Sequence, residues 1–190
     1  MTLGISTSSP MVSVALFDAQ QDCVGHVSRL SPRSASSSIA ELTQSLLESA
    51  NLGIRDMTHI AVDIGPGGFT SVRVGVTFAK CLAWSLAVPL TARTSFELMN
   101  HEGTLGVPVR KGTWLVSRSG NVVETCTVVP EECRGYGLGT GEDLWPSATL
   151  FGRLADGHGP VDPMALVPYY VLEPNISQPK DKRVLSHKPS

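Results

Sequence analysis

Basic charge is scarce in this sequence. Over 190 residues, 15 Lys and Arg stand against 17 Asp and Glu, a formal net charge of −2. A protein that grips nucleic acid unaided needs a basic surface to neutralise phosphates, so the charge argues against that class. Service to a nucleic-acid pathway through a partner stays open. The four cysteines (Cys23, Cys81, Cys126 and Cys133) include no CxxC pair and read as reduced thiols rather than a disulfide framework. The five histidines are scattered, with neither HExxH nor HxxxH, so no metal site is expected. No Ser-His-Asp constellation can be assembled. The opening MTLGISTSSP has no basic region and no long apolar run, and is not read as a signal peptide. The most apolar stretch, Val72 to Leu90, contains Arg73 and Lys80 and stops at Pro89. It reads as a buried amphipathic helix, with no membrane span expected.

What is present is a core-forming composition, 42% hydrophobic, sufficient for one compact domain or two small lobes. Leu3 to Thr7 is short and apolar, Met11 to Phe17 alternates, and Cys23 to Leu30 resumes the strand pattern after a polar turn at 18–22. This predicts an antiparallel meander. Ser31 to Ser38 is a polar loop. A helix is expected from about Ser37 to Asn51, with Ile39, Leu42, Leu46 and Ala50 on one face and Gly53 beyond its end. His59 to Ile64 reads as a buried strand, 70–87 as a second helix, 89–91 as a short strand and 95–101 as a helical turn. The predicted order is β-β-β-α-β-α-β, which is a mixed sheet with helices. Beyond it, 114–117 and 122–129 read as a hairpin around 119–121, 135–141 as a glycine-rich strand and turn, and 147–155 as a helix. Residues 1–102 are taken as a first lobe, 103–172 as a smaller second lobe and 173–190 as a disordered, basic tail.

The turn GPGG, Gly65 to Gly68, carries the functional question. Its glycines can adopt positive φ, and a strand–turn–helix points amide N–H groups at whatever lies before the helix. Gly65, Gly67, Gly68 and Thr70 are therefore candidate anion-binding residues. The P-loop pattern GxxxxGK[ST] and the dinucleotide pattern GxGxxG both fail, so a purely structural turn is the other reading. In the helix that follows, Gly75, Ala79, Ala83 and Ala87 form a small-residue stripe that would let another backbone approach. Val72, Val76, Leu82 and Leu86 should face the core. Arg73, Thr77, Lys80 and Trp84 form a third stripe, in which a tryptophan is out of place: it lies either under the second lobe or in an interface, where Trp and Arg dominate. The segment 139–143, GTGED, is a weaker second candidate for a phosphate turn.

At these residues a family resemblance emerges. Gly65-Pro-Gly-Gly-Phe-Thr-Ser-Val-Arg-Val-Gly75 resembles the GPGSFTGLRIG signature of the bacterial TsaB (YeaZ) family, with Gly65, Pro66, Gly67, Phe69, Thr70, Arg73 and Gly75 in register. Leu3 to Ser8 with Ser13 to Phe17 is similar to the family's LAIDTA…SVAL. The stretches 83–90, 136–141 and Pro168-Tyr-Tyr-Val171 are similar to its GLA…P, GTG and P-x-Y-L/V segments. The likeness is good over 1–100 and patchy after that.

The resemblance implies the actin-like ATPase (ribonuclease H-like) fold with a reduced second lobe. It also implies a non-catalytic subunit in cytoplasmic tRNA threonylcarbamoyladenosine modification. Such a subunit pairs with a catalytic TsaD-type protein through its first-lobe helices, is joined by a TsaE-type ATPase, and meets tRNA only through the complex. No cofactor is implied for this chain alone, though ATP is for the complex. Interface residues on this reading are Ile39, Leu42, Leu46, Arg73, Gly75, Phe78, Ala79, Ala83 and Trp84. A homodimer through the same surface is expected when the partner is absent. The family's first-strand Asp is Ser6 here, which removes a metal-holding carboxylate and argues against independent ATP hydrolysis. The alternative is a small ATPase or phosphotransferase using the GPGG turn, for which Asp63 would be the carboxylate.

Overall fold

The computed structural model describes residues 1–31, 35–99, 102–118, 122–139, 141–154 and 159–171. Two sheets organise them. The first contains β1 (Thr2–Ser6), β2 (Met11–Phe17), β3 (Cys23–Leu30), β4 (His59–Asp63) and β5 (Leu90–Arg93), in the order β3-β2-β1-β4-β5. The three N-terminal strands are antiparallel, with Gly4 opposite Ala15 and Val14 opposite Val27. β4 and β5 extend the sheet in parallel from β1, with Gly4 opposite Ala61 and Ala61 opposite Thr91. Helix α1 (Ala35–Ser49) leads from β3 toward β4, and α2 (Phe69–Leu86) crosses from β4 to β5. Order and boundaries follow the sequence pattern closely, and this is the mixed α/β arrangement of the actin-like fold.

Strand alternation decides which face each residue joins. Leu3, Ile5, Val12, Val14, Leu16, Ile60 and Val62 meet Ile39, Leu42, Leu46, Val72, Val76, Ala79 and Ala83 in the main core under the helices. Each large aliphatic side chain buried there contributes about 1.5–3 kcal/mol. The intervening residues Ala15, Phe17 and Ala61 face the opposite way, against Leu98, Ala148 and Phe151. On that second face Gly4 is needed for space: a Cβ there would lie 2.7 Å from the Phe151 ring.

The second sheet holds β6 (Leu105–Arg110), β7 (Thr113–Arg118), β8 (Val122–Cys126) and β9 (Arg134–Gly135), in the order β8-β7-β6-β9. The hairpin expected from the sequence is β7–β8, with Trp114 opposite Cys126; its tip lies outside the described residues. β6 is an unexpected strand, because Pro108 sits within it. The proline is tolerated since β9 pairs only with Leu105 and Gly106, so no ladder bond is lost at Pro108. The stretch 95–99 is a single turn, as expected, closed by Leu98 N–H to Thr94 C=O and Met99 N–H to Phe96 C=O; residues 100 and 101 lie outside the described residues. The helix expected near 147–155 is a 3-10 helix, Ala148–Leu154. The expected basic tail and the 32–34 part of the polar loop lie outside the described residues. Among the described residues no helix is long and apolar enough to cross a membrane.

Candidate functional site

The C-terminal ends of β1 and β4 lie side by side, and there Ser6 and Asp63 point to the same face. Asp63 is fully buried. Its Oδ2 accepts hydrogen bonds from Ser6 Oγ at 2.7 Å and Ser8 Oγ at 2.5 Å, and its Oδ1 accepts one from the Gly65 N–H at 2.8 Å. Burial raises the carboxyl above its ordinary value; the serine hydroxyls and backbone amides pull the other way without cancelling the desolvation. Ser6 makes the arrangement workable. An aspartate in its place would set two carboxylates against each other in a site with no solvent, where like charges are strongly unfavourable.

The cluster is closed from the second sheet. Tyr136 follows β9 and is itself buried; its hydroxyl donates to the Ser8 carbonyl at 3.2 Å, and its ring stacks on Trp145 at 5.0 Å. Burial, and secondarily the Asp63 charge, push the phenol pKa far upward, so it is a fixed neutral donor. Thr7, Ser8 and Ser9 are all buried.

The GPGG turn completes the closure. Gly65 has φ +89°, a conformation that favours glycine. Gly67 lies against the β1–β2 turn so closely that a Cβ would fall 2.1 Å from the Ser8 carbonyl oxygen. The Gly68 N–H donates to that same oxygen at 2.8 Å. Ser95 secures the turn from the other side: its N–H donates to the Gly65 carbonyl and its hydroxyl to the Pro66 carbonyl. Of the four residues proposed for anion binding, Gly65 and Gly68 thus spend their amides within the chain. Gly68 and Thr70 are exposed, and Gly67 is half-buried. The second glycine turn is built similarly: the Asp143 carboxylate accepts from the Gly137 N–H at 2.8 Å, so that side chain closes its own loop.

α2 divides the expected interface residues into two groups. Gly75, Ala79 and Ala83 face inward with Val72 and Val76. The small-residue stripe therefore docks on the protein's own sheet, not on a neighbour: a Cβ at Gly75 would sit 2.2 Å from Thr7 Oγ1, which donates to the Ser71 carbonyl. Ile39, Leu42 and Leu46 of α1 are likewise core residues, 1%, 2% and 5% exposed. For Gly75, Ala79, Ala83, Leu42 and Leu46 the expectation of a partner surface is corrected: the β4–α2–β5 crossover lays the first three against the sheet, and α1 packs the other two into the core over β2, leaving only the edge of Ile39 toward the outer face. Arg73 and Trp84 do face outward, with Phe78 half-buried between them. Trp84 is 74% exposed and is not covered by the second sheet. Along this outer face runs a groove of ≈ 520 Å³ between α1 and α2, lined by Thr70, Arg73, Val74, Thr77, Phe78 and Cys81, with Ile39 at its floor.

Several contributors were not legible beforehand. Ser95 lies in no motif, and Ser8 and Tyr136 fall in segments with a family likeness that assigned them no role; Tyr136 reaches Ser8 from 128 residues away. The segment after Gly159 also matters. Val161 bridges Leu90, Lys80 Nζ donates to the Leu166 carbonyl at 2.8 Å, and the Tyr169 N–H donates to the Ile64 carbonyl. Tyr170 then lies 5.4 Å from the ring of Phe69, over which Arg73 is placed at 5.2 Å. Only the Pro168-Tyr-Tyr-Val171 likeness signals this strap in sequence.

Comparison with known proteins places this geometry. Residues 15–110, about half the chain, match the family described as TsaD, tRNA N6-adenosine threonylcarbamoyltransferase. The chain is 35% identical over 101 residues to the tRNA threonylcarbamoyladenosine biosynthesis protein TsaB of Bacillus subtilis (strain 168), covering 53% of this chain and 44% of that protein. It is 37% identical over 73 residues to the tRNA N6-adenosine threonylcarbamoyltransferase of Clostridioides difficile (strain 630), covering 38% and 22%. The chain thus spans less than half the length of these curated relatives. Among solved structures, a Pseudomonas aeruginosa protein described as similar to the peptidase YeaZ superposes with a TM-score of 0.74 at 20% identity, over 90% of this chain and 99% of that one, which establishes a shared fold. With the GPGG turn, the strand order and these matches together, the chain belongs to the TsaB (YeaZ) family, within the wider group that includes the threonylcarbamoyltransferases.

Proposed function

We propose that this protein is a non-catalytic subunit of the cytoplasmic machinery that makes tRNA threonylcarbamoyladenosine, and that it binds a TsaD-type catalytic protein through the outer surface of α1 and α2. A TsaE-type ATPase would join the same assembly, and tRNA would be met through the complex. The observation that carries this reading is the state of Asp63. It is the carboxylate at the end of β4, where a nucleotide-hydrolysing member of the fold needs an accessible acid. Here it is wholly buried, engaged through both oxygens by Ser6, Ser8 and Gly65, and roofed by Tyr136. The acid is spent on holding two strand ends and a turn together.

What remains outward is suited to contact. Arg73, Phe78 and Trp84 are the residue types that dominate protein interfaces, and they lie along one groove-bearing helix. Two lobes that an ATPase would open around a nucleotide are here joined by direct bonds, including Ala148 N–H to Ser13 Oγ and Ser147 N–H to the Leu98 carbonyl.

The test is co-elution of the purified chain with the TsaD-type protein of the same organism, alongside calorimetric titration of the isolated chain with ATP and magnesium. Co-elution with a flat titration is expected. Micromolar ATP binding with turnover lost in Asp63→Asn would replace this reading with the phosphotransferase alternative.

A further inference from the structure

The formal charge of −2 is unevenly distributed. Residues 1–171 hold 11 Lys and Arg against 15 Asp and Glu, whereas 172–190 hold Lys180, Lys182, Arg183 and Lys188 against Glu173 and Asp181. A basic segment on an acidic body is a composition suited to binding a polyanion. The segment is poorly suited to a protein groove. Beyond Leu172 its only large apolar residues are Ile176, Val184 and Leu185, and Pro174, Pro179 and Pro189 interrupt any helical period. A peptide that enters a groove needs regularly spaced apolar anchors, while contact with phosphates needs only the cations.

The structure fixes where this segment departs. The strap bridges Leu90 through Val161, takes the Lys80 ammonium on the Leu166 carbonyl and donates the Tyr169 N–H to the Ile64 carbonyl at 2.8 Å. It thereby brings Val171 to the N-terminal end of α2. Aromatic rings are open around that point: Phe69, Tyr169 and Tyr170 are 41%, 40% and 46% exposed. Tyr170 lies 5.4 Å from Phe69, over which Arg73 is placed at 5.2 Å. Exposed rings with a cation beside them are a surface on which unpaired bases stack.

We infer that residues 172–190, with Tyr170 at their root, are an RNA-binding arm: Lys180, Lys182, Arg183 and Lys188 contact phosphates of the tRNA held in the assembly, and the Tyr170 ring stacks on an unpaired base. The inference rests on the reading above of a tRNA-modifying assembly and adds to it a contact made by this chain itself. The arm leaves from the end of α2, beside the face assigned to the protein partner. Its 19 residues span at most about 65 Å, enough to reach RNA seated on a neighbouring subunit. The acidic body keeps the same contact weak when the chain is alone.

The experiment measures the affinity of a tRNA transcript by fluorescence anisotropy over a range of salt, for the isolated full chain and for its complex with the TsaD-type protein of the same organism. In the complex, Lys180→Gln, Lys182→Gln, Arg183→Gln and Lys188→Gln combined should weaken tRNA binding about tenfold at about 0.1 M salt, and should lower the slope of log affinity against log salt by about 3. Co-elution with the TsaD-type protein should be unaffected by these four changes. Tyr170→Ala should weaken tRNA binding about fivefold or more, whereas Tyr170→Phe, which keeps a ring, should not. Affinity and slope left unchanged by the four Gln substitutions would overturn the inference and leave the partner reading standing. Loss of co-elution in that variant, with tRNA affinity of the remaining complex unchanged, would overturn it in favour of a protein contact by the arm. Parental affinity in Tyr170→Ala would overturn the stacking role. If the wild-type chain does not co-elute with the TsaD-type protein, the partner reading fails and the isolated chain at low salt decides the inference: tRNA binding abolished by the four Gln substitutions upholds it, and no tRNA binding overturns it.

Discussion

The inner face of α2 presents Val72, Gly75, Val76, Ala79 and Ala83; its outer face presents Thr70, Arg73, Thr77, Cys81 and Trp84. The inner set is small or β-branched, and its members are fitted to particular neighbours at near-contact distances. The outer set is polar, cationic or aromatic, and includes a tryptophan that touches little of its own chain. One helix thus carries two unlike kinds of constraint. Substitution inside should be read in folding stability, and substitution outside in association. A small-residue stripe on its own does not say which of the two it serves.

The sharpest way to break this contrast is Gly75→Arg. The helix cannot stay seated on Thr7 with a long side chain at that point, so the loss should exceed about 4 kcal/mol and appear as an insoluble or non-cooperatively unfolding protein. Gly75→Ala should cost about 1–3 kcal/mol in urea unfolding, as overpacking does. If Gly75→Arg folds normally and only partner binding is lost, the assignment of this face to the interior is wrong.

Next in size is Asp63→Ala, which strands the hydroxyls of Ser6 and Ser8 and the Gly65 N–H in a dry site and should cost about 3–5 kcal/mol. Asp63→Asn keeps an acceptor for Gly65, and the hydroxyls can rotate to meet the amide, so its cost should stay near 1 kcal/mol at neutral pH. The two variants also separate in pH. Burial raises the folded carboxyl above its ordinary value of 3.8, so the folded state holds the proton to higher pH than the unfolded chain. That contribution is complete below 3.8 and is lost as pH rises through the raised folded value. Asp63→Asn removes it, so its unfolding midpoint should gain on the parent as pH rises from acid; a constant difference would show that Asp63 is not perturbed.

On the outer face, Trp84→Ala should change stability by no more than about 0.5 kcal/mol, the usual range for exposed positions. It should weaken binding to the TsaD-type partner by about 1–2 kcal/mol or more, as interface tryptophans do. Equal and small effects on both would remove Trp84 from the interface. The smallest effect belongs to the ion pair between Arg29 on the exposed edge strand β3 and Glu41 on α1. Both side chains are at least half exposed, and Arg29→Ala should shift stability by less than about 1 kcal/mol, diminishing with salt. A larger loss would mean that β3 is held by α1 rather than by its pairing with β2.

Much of the first sheet is legible in the chain because its signals are local. Met11 to Phe17 alternates, Cys23 to Leu30 is bounded by turn residues, and Ile39, Leu42 and Leu46 recur at helical spacing. The second sheet is less so. Pro108 argues against a strand, and only the shortness of β9 removes the objection. The candidate site divides in the same way. The GPGG turn is visible as a motif, but its partners Ser8, Ser95 and Tyr136 are ordinary residues whose role depends on arriving together.

Side-chain order along the strands and helices is a one-dimensional pattern, and it suffices to name the elements, their sequence and the family they belong to. Orientation of α2 is a different kind of fact. Whether Gly75 or Arg73 faces inward depends on where the turn at Thr7 and Ser8 comes to rest, over 60 residues earlier in the chain. Whether Asp63 meets solvent depends on a tyrosine from the other sheet. Such choices are made by close contact between distant segments, where a single Cβ or one buried hydroxyl decides which packing is allowed.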